Sequence, residues 1–125
     1  MRALRPLAAL LLSALPLAAL ADPVTFDTAT GPLTLDDVPA RIVALDVSAI
    51  DTVTALGVMP VGAVTPLYVD YLPEVAEKAA PVGSFFEPDM EAIAALAPDL
   101  IVVGPRSAAM AQALGRIAPV ADMSV

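Results

Sequence analysis

The chain has 125 residues, and its 14 acidic and 6 basic side chains give a formal net charge of −8. This excess of negative charge argues against nucleic acids and anionic membranes as partners, because their phosphates would repel the protein. Histidine and cysteine are both absent. Their absence excludes disulfides, Cys/His zinc sites, Cys–His nucleophiles and Ser–His–Asp triads.

Residues 1–21 have the features of a secretory signal peptide. Two arginines precede an apolar run that ends at Leu20, and the Ala-Leu-Ala sequence at 19–21 fits a cleavage site. The run has roughly 14 residues, fewer than the roughly 20 of a membrane-spanning helix. We therefore expect cleavage after residue 21, export to the periplasm, and no insertion into the membrane afterwards.

Residues 22–40 are predicted to form a β-hairpin segment. Apolar residues alternate on both sides of Gly31-Pro32, which is a typical turn sequence, so the hairpin is expected over Val24–Asp37. Pro39 then separates this segment from the rest of the chain, which we assign to a single lobe over residues 41–125.

Within 41–125, short apolar runs alternate with segments of helical spacing. The runs predict buried parallel strands, and they are Ile42–Leu45, Val61–Val64, Val82–Ser84, Leu100–Val103 and Pro119–Met123. Ser48 and Asp51 fit a capping box at the start of the first helix, which Gly57 ends. A weaker helical segment, interrupted by Pro73, covers 68–78.

Two more helices are expected in the second half of the lobe. One begins near Pro88 and ends before Pro98, and the other begins after Ser107 as its cap. The order predicts an α/β fold, a Rossmann-like parallel sheet with helices on both faces. Ligands of such sheets meet the loops after the strands, here 46–48, 65–68, 84–87 and 104–107, which should share one edge.

Arg106 is the sharpest candidate for a ligand contact at this edge. It follows the strongest predicted strand, and its guanidinium can hold carboxylate or catecholate oxygens in a bidentate fork. The alternatives are a surface arginine paired with a nearby acid, or a residue that merely lies beside the first turn of the next helix. Four aromatic residues lie in or beside the same loops and suggest a wall for a bulky ligand, or else a plug for the end of the sheet. They are Tyr68, Tyr71, Phe85 and Phe86.

Glu87, Asp89 and Glu91 form a second group of candidates. Closely spaced carboxylates suit acid–base catalysis or a hard metal ion, but acids at a helix start are also ordinary partners of the helix dipole. The chain lacks the central glycine of a calcium loop and the glycine patterns of nucleotide-binding loops. These acids therefore leave a small exported hydrolase-like enzyme as an alternative function.

Three stretches together resemble a known family. RIVALDVSAIDTVTALGVMPVGAV, YLPEV and VGSFFEPDMEAIAALAPDLIVVGPRSA are similar to the periplasmic substrate-binding proteins of iron-siderophore and cobalamin ABC importers, and Phe85-Phe86-Glu87-Pro88-Asp89 and the Gly-Pro-Arg-Ser turn resemble the ferric-siderophore branch. The resemblance implies a two-lobed, helix-linked binding protein, of which residues 41–125 are the N-terminal lobe and the C-terminal lobe is absent.

The resemblance also implies roles for particular residues. Arg106 would contact an anionic ferric siderophore, with Tyr68, Phe85, Phe86 and Ser107 as further ligand contacts, while Glu91 would dock on the permease of the importer. Catalysis is not expected. The chain would need no cofactor or metal site of its own, since ferric iron arrives inside the siderophore.

Two departures from the family pattern concern the same edge. Leu67 stands where siderophore binders often carry a lysine, and Pro105 precedes Arg106. Cobalamin or haem remains an alternative ligand, with Tyr68 or Tyr71 as the axial residue for haem. A non-functional fragment is a further alternative, because one lobe leaves a ligand half exposed.

Overall fold

The computed structural model describes residues 22–124. The predicted signal peptide, residues 1–21, lies outside the described residues. Over the part that is described, none of the helices has the length and apolar character that crossing a membrane requires.

The N-terminal segment is an antiparallel hairpin, as predicted. Strand β1 (Val24–Thr28) pairs with β2 (Gly31–Leu35), and Val24 lies opposite Leu35. Gly31 has a φ of +114°, a conformation that glycine adopts without the steric penalty of a side chain. Side chains of Phe26, Leu33 and Leu35 pack on the main sheet, so the hairpin covers part of the lobe.

The main sheet has five parallel strands in the order β5-β4-β3-β6-β7. The strands are β3 (Ile42–Ala44), β4 (Gly62–Ala63), β5 (Ala80–Pro81), β6 (Leu100–Val103) and β7 (Val120–Asp122). The parallel sheet is therefore confirmed. Because neighbouring strands run the same way, the loops that follow them emerge on one edge.

The third predicted strand was displaced by two residues. Strand β5 ends at Pro81 rather than spanning Val82–Ser84. The Val82 N–H still donates to the Ala63 carbonyl at 3.1 Å, but Gly83 has a φ of +86° and bridges back to Pro88. The Gly83 carbonyl still accepts the Thr65 N–H at 2.8 Å, so backbone pairing with the segment after β4 continues as far as this turn.

Helices connect the strands, and their starts differ from the predicted ones. They are α1 (Val47–Ala55), α2 (Pro73–Lys78), α3 (Met90–Ala95) and α4 (Ala111–Leu114), the last preceded by a 3₁₀ turn, Ala108–Met110. The prediction that Ser48 caps α1 was wrong, because the Asp46 carboxylate accepts the N–H groups of Ser48 (2.9 Å) and Ala49 (3.3 Å). Helix α2 begins at Pro73, whereas the sequence pattern predicts a longer helical segment, 68–78, that Pro73 interrupts.

The two faces of the sheet bury different sets of side chains. Along β6, Ile101 and Val103 pack with the helices, whereas Leu100 and Val102 face the hairpin and Val53 of α1. This alternation follows from the two-residue period of a strand. The helix-covered cluster also contains Val43, Leu45, Ile50, Val75, Ile93 and Leu114.

The opposite edge of the sheet is fixed by Asp99. Its carboxylate accepts the backbone N–H groups of Ala40 at 2.8 Å and Arg41 at 2.9 Å. Nε of Arg41 donates to the Leu96 carbonyl at 2.9 Å. These bonds join the hairpin segment to the lobe far from the predicted ligand loops.

Candidate ligand-binding edge

The candidate site is the edge formed by residues 46–48, 65–68, 84–87 and 104–107, which we call the loop edge. These four segments follow β3, β4, β5 and β6 in turn. Since the four strands are parallel and adjacent in the sheet, the sequence-based expectation that the loops share one edge is confirmed.

Three predicted site residues from three of these loops are in contact. The rings of Tyr68 and Phe85 stack with centroids 6.2 Å apart and an interplanar angle of 21°. The guanidinium carbon of Arg106 lies 5.1 Å from the Phe85 centroid, within the range of cation–π attraction. The structure thus brings together residues that are 17 or more positions apart in the printed sequence.

The aromatic residues divide into a buried support and an exposed surface. Phe85 is only 5% exposed and belongs to the core, so it closes this end of the sheet. Tyr68 is 74% exposed and Phe86 is 70% exposed. Phe85 therefore plugs this end of the sheet, whereas Tyr68 and Phe86 expose the apolar area that a wall for a ligand would require.

Ser107, like Phe85, is not on the exposed surface with Arg106, Tyr68 and Phe86. It is fully buried, and its hydroxyl donates to the Leu45 carbonyl at 3.0 Å and accepts the Gly104 N–H at 3.1 Å. The side chain makes no cap for the following 3₁₀ turn. Ser107 instead fastens the loop of Arg106 to the end of β3, and its hydroxyl faces the interior of the fold.

Asp46 is a residue of the loop edge that the sequence analysis assigned only to a loop. Its carboxylate caps α1, and a Cβ atom built on Gly104 would lie 2.4 Å from its Oδ2. The loops after β3 and β6 are therefore in direct contact through Gly104. The signal was present in the sequence, because aspartate is as good an N-cap as serine.

Beside Arg106 lies a concavity of about 510 Å³, which we call the edge concavity. It has carboxylate, hydroxyl, aromatic and guanidinium groups around it. Its lining residues are Asp46, Val47, Ser48, Asp51, Tyr71, Pro105 and Arg106. Arg106 thus contacts the Phe85 ring and also lines the edge concavity. Its guanidinium lies between the apolar aromatic rings and the polar lining of the concavity.

Arg106 is exposed and is not neutralised by a carboxylate of the described chain. The ion pair found within residues 22–124 joins Lys78 and Glu74 at 3.5 Å, one turn apart on α2. The alternative in which Arg106 pairs with a nearby acid is therefore not what the structure shows. Its guanidinium donors remain available to an anionic ligand.

The acids near α3 behave as partners of the helix start. The Asp89 carboxylate accepts the Ala92 N–H at 2.9 Å, and Glu91 is exposed in the first turn. Glu87 is exposed in the preceding loop. Among residues 22–124, no group of three acidic, histidine or cysteine side chains is arranged to hold a metal ion.

A second concavity, of about 470 Å³, lies between the end of α1 and α2 and was not predicted. Its lining includes Val58, Met59, Leu72 and Val75. It carries no free cation, since its Lys78 is paired with Glu74. Of these two concavities, the edge concavity is therefore the one whose lining includes an unpaired cation, Arg106.

Comparison with known families agrees with this geometry. Residues 42–125 match the family model described as periplasmic binding protein. The chain belongs to the periplasmic binding protein family. The matched range contains the whole parallel sheet and all four segments of the loop edge.

Curated relatives of this family member bind ferric chelates. The chain is 42% identical over 95 residues to the Fe(3+) dicitrate-binding periplasmic protein FecB of Escherichia coli. The match covers 72% of this chain and 32% of FecB. The chain is 29% identical over 109 residues to the ferric-anguibactin-binding protein FatB of Vibrio anguillarum, covering 82% of this chain and 33% of FatB. The chain thus spans about a third of the length of these relatives.

Solved structures show the same fold. The siderophore-binding protein BauB, bound to two acinetobactin molecules and ferric iron, superposes with a TM-score of 0.77 at 29% identity, over 83% of this chain and 37% of BauB. The catecholate-siderophore-binding protein VctP of Vibrio cholerae superposes with a TM-score of 0.73 at 38% identity, over 81% of this chain and 37% of VctP. These similarities support the α/β lobe described above.

Proposed function

We propose that this chain is the substrate-binding component of an ABC importer, or its N-terminal lobe, and captures a ferric siderophore in the periplasm. The observation that carries the proposal is the exposed, unpaired Arg106 supported by Phe85 at the loop edge. The ferric-chelate ligands named for FecB, FatB and BauB support the ligand class. The fold and family support the transport role.

Each part of the edge has a role in this proposal. Arg106 donates to the anionic oxygens of the chelate, and the bonds are strengthened because a bound ligand excludes water from them. Tyr68 and Phe86 pack against apolar parts of the ligand. Ferric iron stays inside its chelator, so the lobe supplies no metal ligand and carries out no reaction.

Glu91 is proposed to dock on the permease. It is exposed on α3, and the chain has a large excess of negative charge. An acidic side chain on a rigid helix can meet a basic permease surface while Arg106 holds the ligand elsewhere, because electrostatic complementarity acts locally. Delivery to the inner-membrane permease follows from this docking.

The first experiment uses the chain's own tyrosine fluorescence. The protein has two tyrosines and no tryptophan, Tyr68 stacks on Phe85, and Tyr71 lines the edge concavity. A ligand at the loop edge should therefore quench most of the intrinsic emission. The purified protein would be titrated with ferric dicitrate, a ferric catecholate and a ferric hydroxamate, and with cobalamin for comparison.

The matched variants are Arg106→Ala and Arg116→Ala. Arg116 is also exposed but follows α4, at the other edge of the sheet. Loss of charge-assisted hydrogen bonds predicts an affinity about tenfold or more weaker for Arg106→Ala, and unchanged affinity for Arg116→Ala. A folded protein that none of the ferric chelates quenches would contradict the proposed function.

A further inference from the structure

The edge concavity places groups of opposite charge around one space. Arg106 and Asp51 both line it, yet they do not form an ion pair with each other. Asp51 is exposed on α1, and within residues 22–124 its carboxylate takes part in no hydrogen bond or ion pair. Both charges are therefore available to a molecule that occupies the concavity.

Asp46, the other carboxylate of the concavity, is already used by the fold. Its Oδ1 accepts the N–H groups of Ser48 and Ala49 and also the Ser48 hydroxyl. This leaves Asp51 as the carboxylate without a partner. A ligand that fills the space beside Arg106 consequently meets one guanidinium and one unpartnered carboxylate.

The surroundings add further negative charge. Asp70 and Glu87 are exposed in or next to the loops after β4 and β5, and among residues 22–124 the four segments of the loop edge contain no basic residue besides Arg106. A chelate with several negative charges and no positive group would gain one attraction and suffer several repulsions. A ligand with both signs of charge fits this arrangement better.

We propose that the ligand of the loop edge is a ferric chelate that carries a protonated amine, with Asp51 accepting the ammonium group while Arg106 holds anionic oxygens of the chelate. The inference rests on the proposed function and narrows its ligand class. Tyr71, which is 58% exposed and lines the same concavity, offers an aromatic face to the ammonium group.

The test uses two chelates that differ in one group. Ferric desferrioxamine B has a pendant primary amine, and its N-acetyl derivative has the same iron-binding groups without the positive charge. Both would be titrated into the purified protein and into Asp51→Asn. Asp36→Asn is the control, because Asp36 is equally exposed but lies in the hairpin segment, beside the opposite edge of the sheet.

For the unchanged protein and for Asp36→Asn, acetylation should weaken binding about two- to fivefold, the range of an exposed ion pair. In Asp51→Asn the two chelates should bind equally. Equal binding of the two chelates to the unchanged protein would overturn this inference and leave the proposed function standing, as would an acetylation effect that persists in Asp51→Asn. No binding of these chelates, ferric dicitrate or a ferric catecholate would overturn both.

Discussion

Arg106 and Phe85 meet across the loop edge, with the guanidinium carbon 5.1 Å from the ring centroid. The Phe85 ring is buried in the core, and the Arg106 guanidinium is exposed. The fixed ring therefore holds the exposed guanidinium in position. The aromatic face restricts the arginine without neutralising its charge, whereas a carboxylate partner would have competed with an anionic ligand.

Replacing Phe85 should separate its two roles. Phe85→Leu keeps an apolar side chain in the core but removes the ring beneath Arg106, so we expect ferric chelate affinity to fall about two- to fivefold with modest destabilisation. Phe85→Ala should also destabilise the fold by about 3–5 kcal/mol, since it leaves a cavity. Chelate titration and urea unfolding measure the two effects. Equal affinity of Phe85→Leu and the unchanged protein would contradict a role for the ring in holding Arg106.

Ser107→Ala should lower the free energy of unfolding, because the Ser107 hydroxyl anchors the loop that carries Arg106. The change leaves the buried Leu45 carbonyl and Gly104 N–H without their hydroxyl partner, and we expect a loss of about 1–3 kcal/mol in unfolding free energy. Ser48→Ala is the control, since that hydroxyl is exposed and bonds to a carboxylate, Asp46, that keeps its two backbone N–H partners. Urea unfolding compares them, and equal stability of the two variants would show that the Ser107 hydroxyl is not a structural anchor.

Gly104→Ala should disturb the cap of α1. The new methyl group would lie 2.4 Å from Oδ2 of Asp46, so the carboxylate must move, and we expect a loss of about 1–3 kcal/mol in stability. At Gly115 the nearest contact of an added Cβ is 3.4 Å, and Gly115→Ala should therefore change little. In a double-mutant cycle, Gly104→Ala and Asp46→Ala should be non-additive. Strict additivity would mean that the two residues do not clash.

Charge reversal at Glu91 should slow delivery of the ferric chelate to the permease and leave the affinity for the chelate unchanged. We expect Glu91→Lys to slow uptake of the ferric chelate several-fold in cells that contain the importer, because a basic permease surface would repel the new charge. Its chelate affinity in titration should stay the same, since Glu91 does not line the edge concavity. Glu77→Lys, at an exposed acid of α2, is the control for net charge. Normal uptake by Glu91→Lys would remove Glu91 from the docking surface.

Local patterns predicted most of the fold. The two-residue alternation of the hairpin and the apolar runs of β3, β4 and β6 are direct consequences of burial, and strand direction then determined where Arg106 and Tyr68 would lie. The predicted position of β5 was wrong because the turn at Gly83 depends on a bridge to Pro88. The pattern of Val82-Gly83-Ser84 alone contains no sign of that bridge.

Side-chain partners were harder to predict because they depend on contacts between distant parts of the sequence. The hydroxyl of Ser107 bonds to Leu45, which lies 62 positions away, so the sequence around Ser107 resembles an ordinary helix start. The Ser48 prediction failed for a different reason. Asp46 competes for the same helix N-terminus, and a capping-box pattern does not rank one candidate above another.

The anchoring of the 104–107 loop divides it into an inner and an outer part. Gly104 and Ser107 are buried and hold the backbone, whereas Pro105 and Arg106 are exposed. Under the proposed function, substitutions at the outer positions should change ligand recognition with little loss of stability, because surface changes typically cost less than about 0.5 kcal/mol. A lobe built in this way can acquire new ligands during evolution, or in the laboratory, while its interior stays the same.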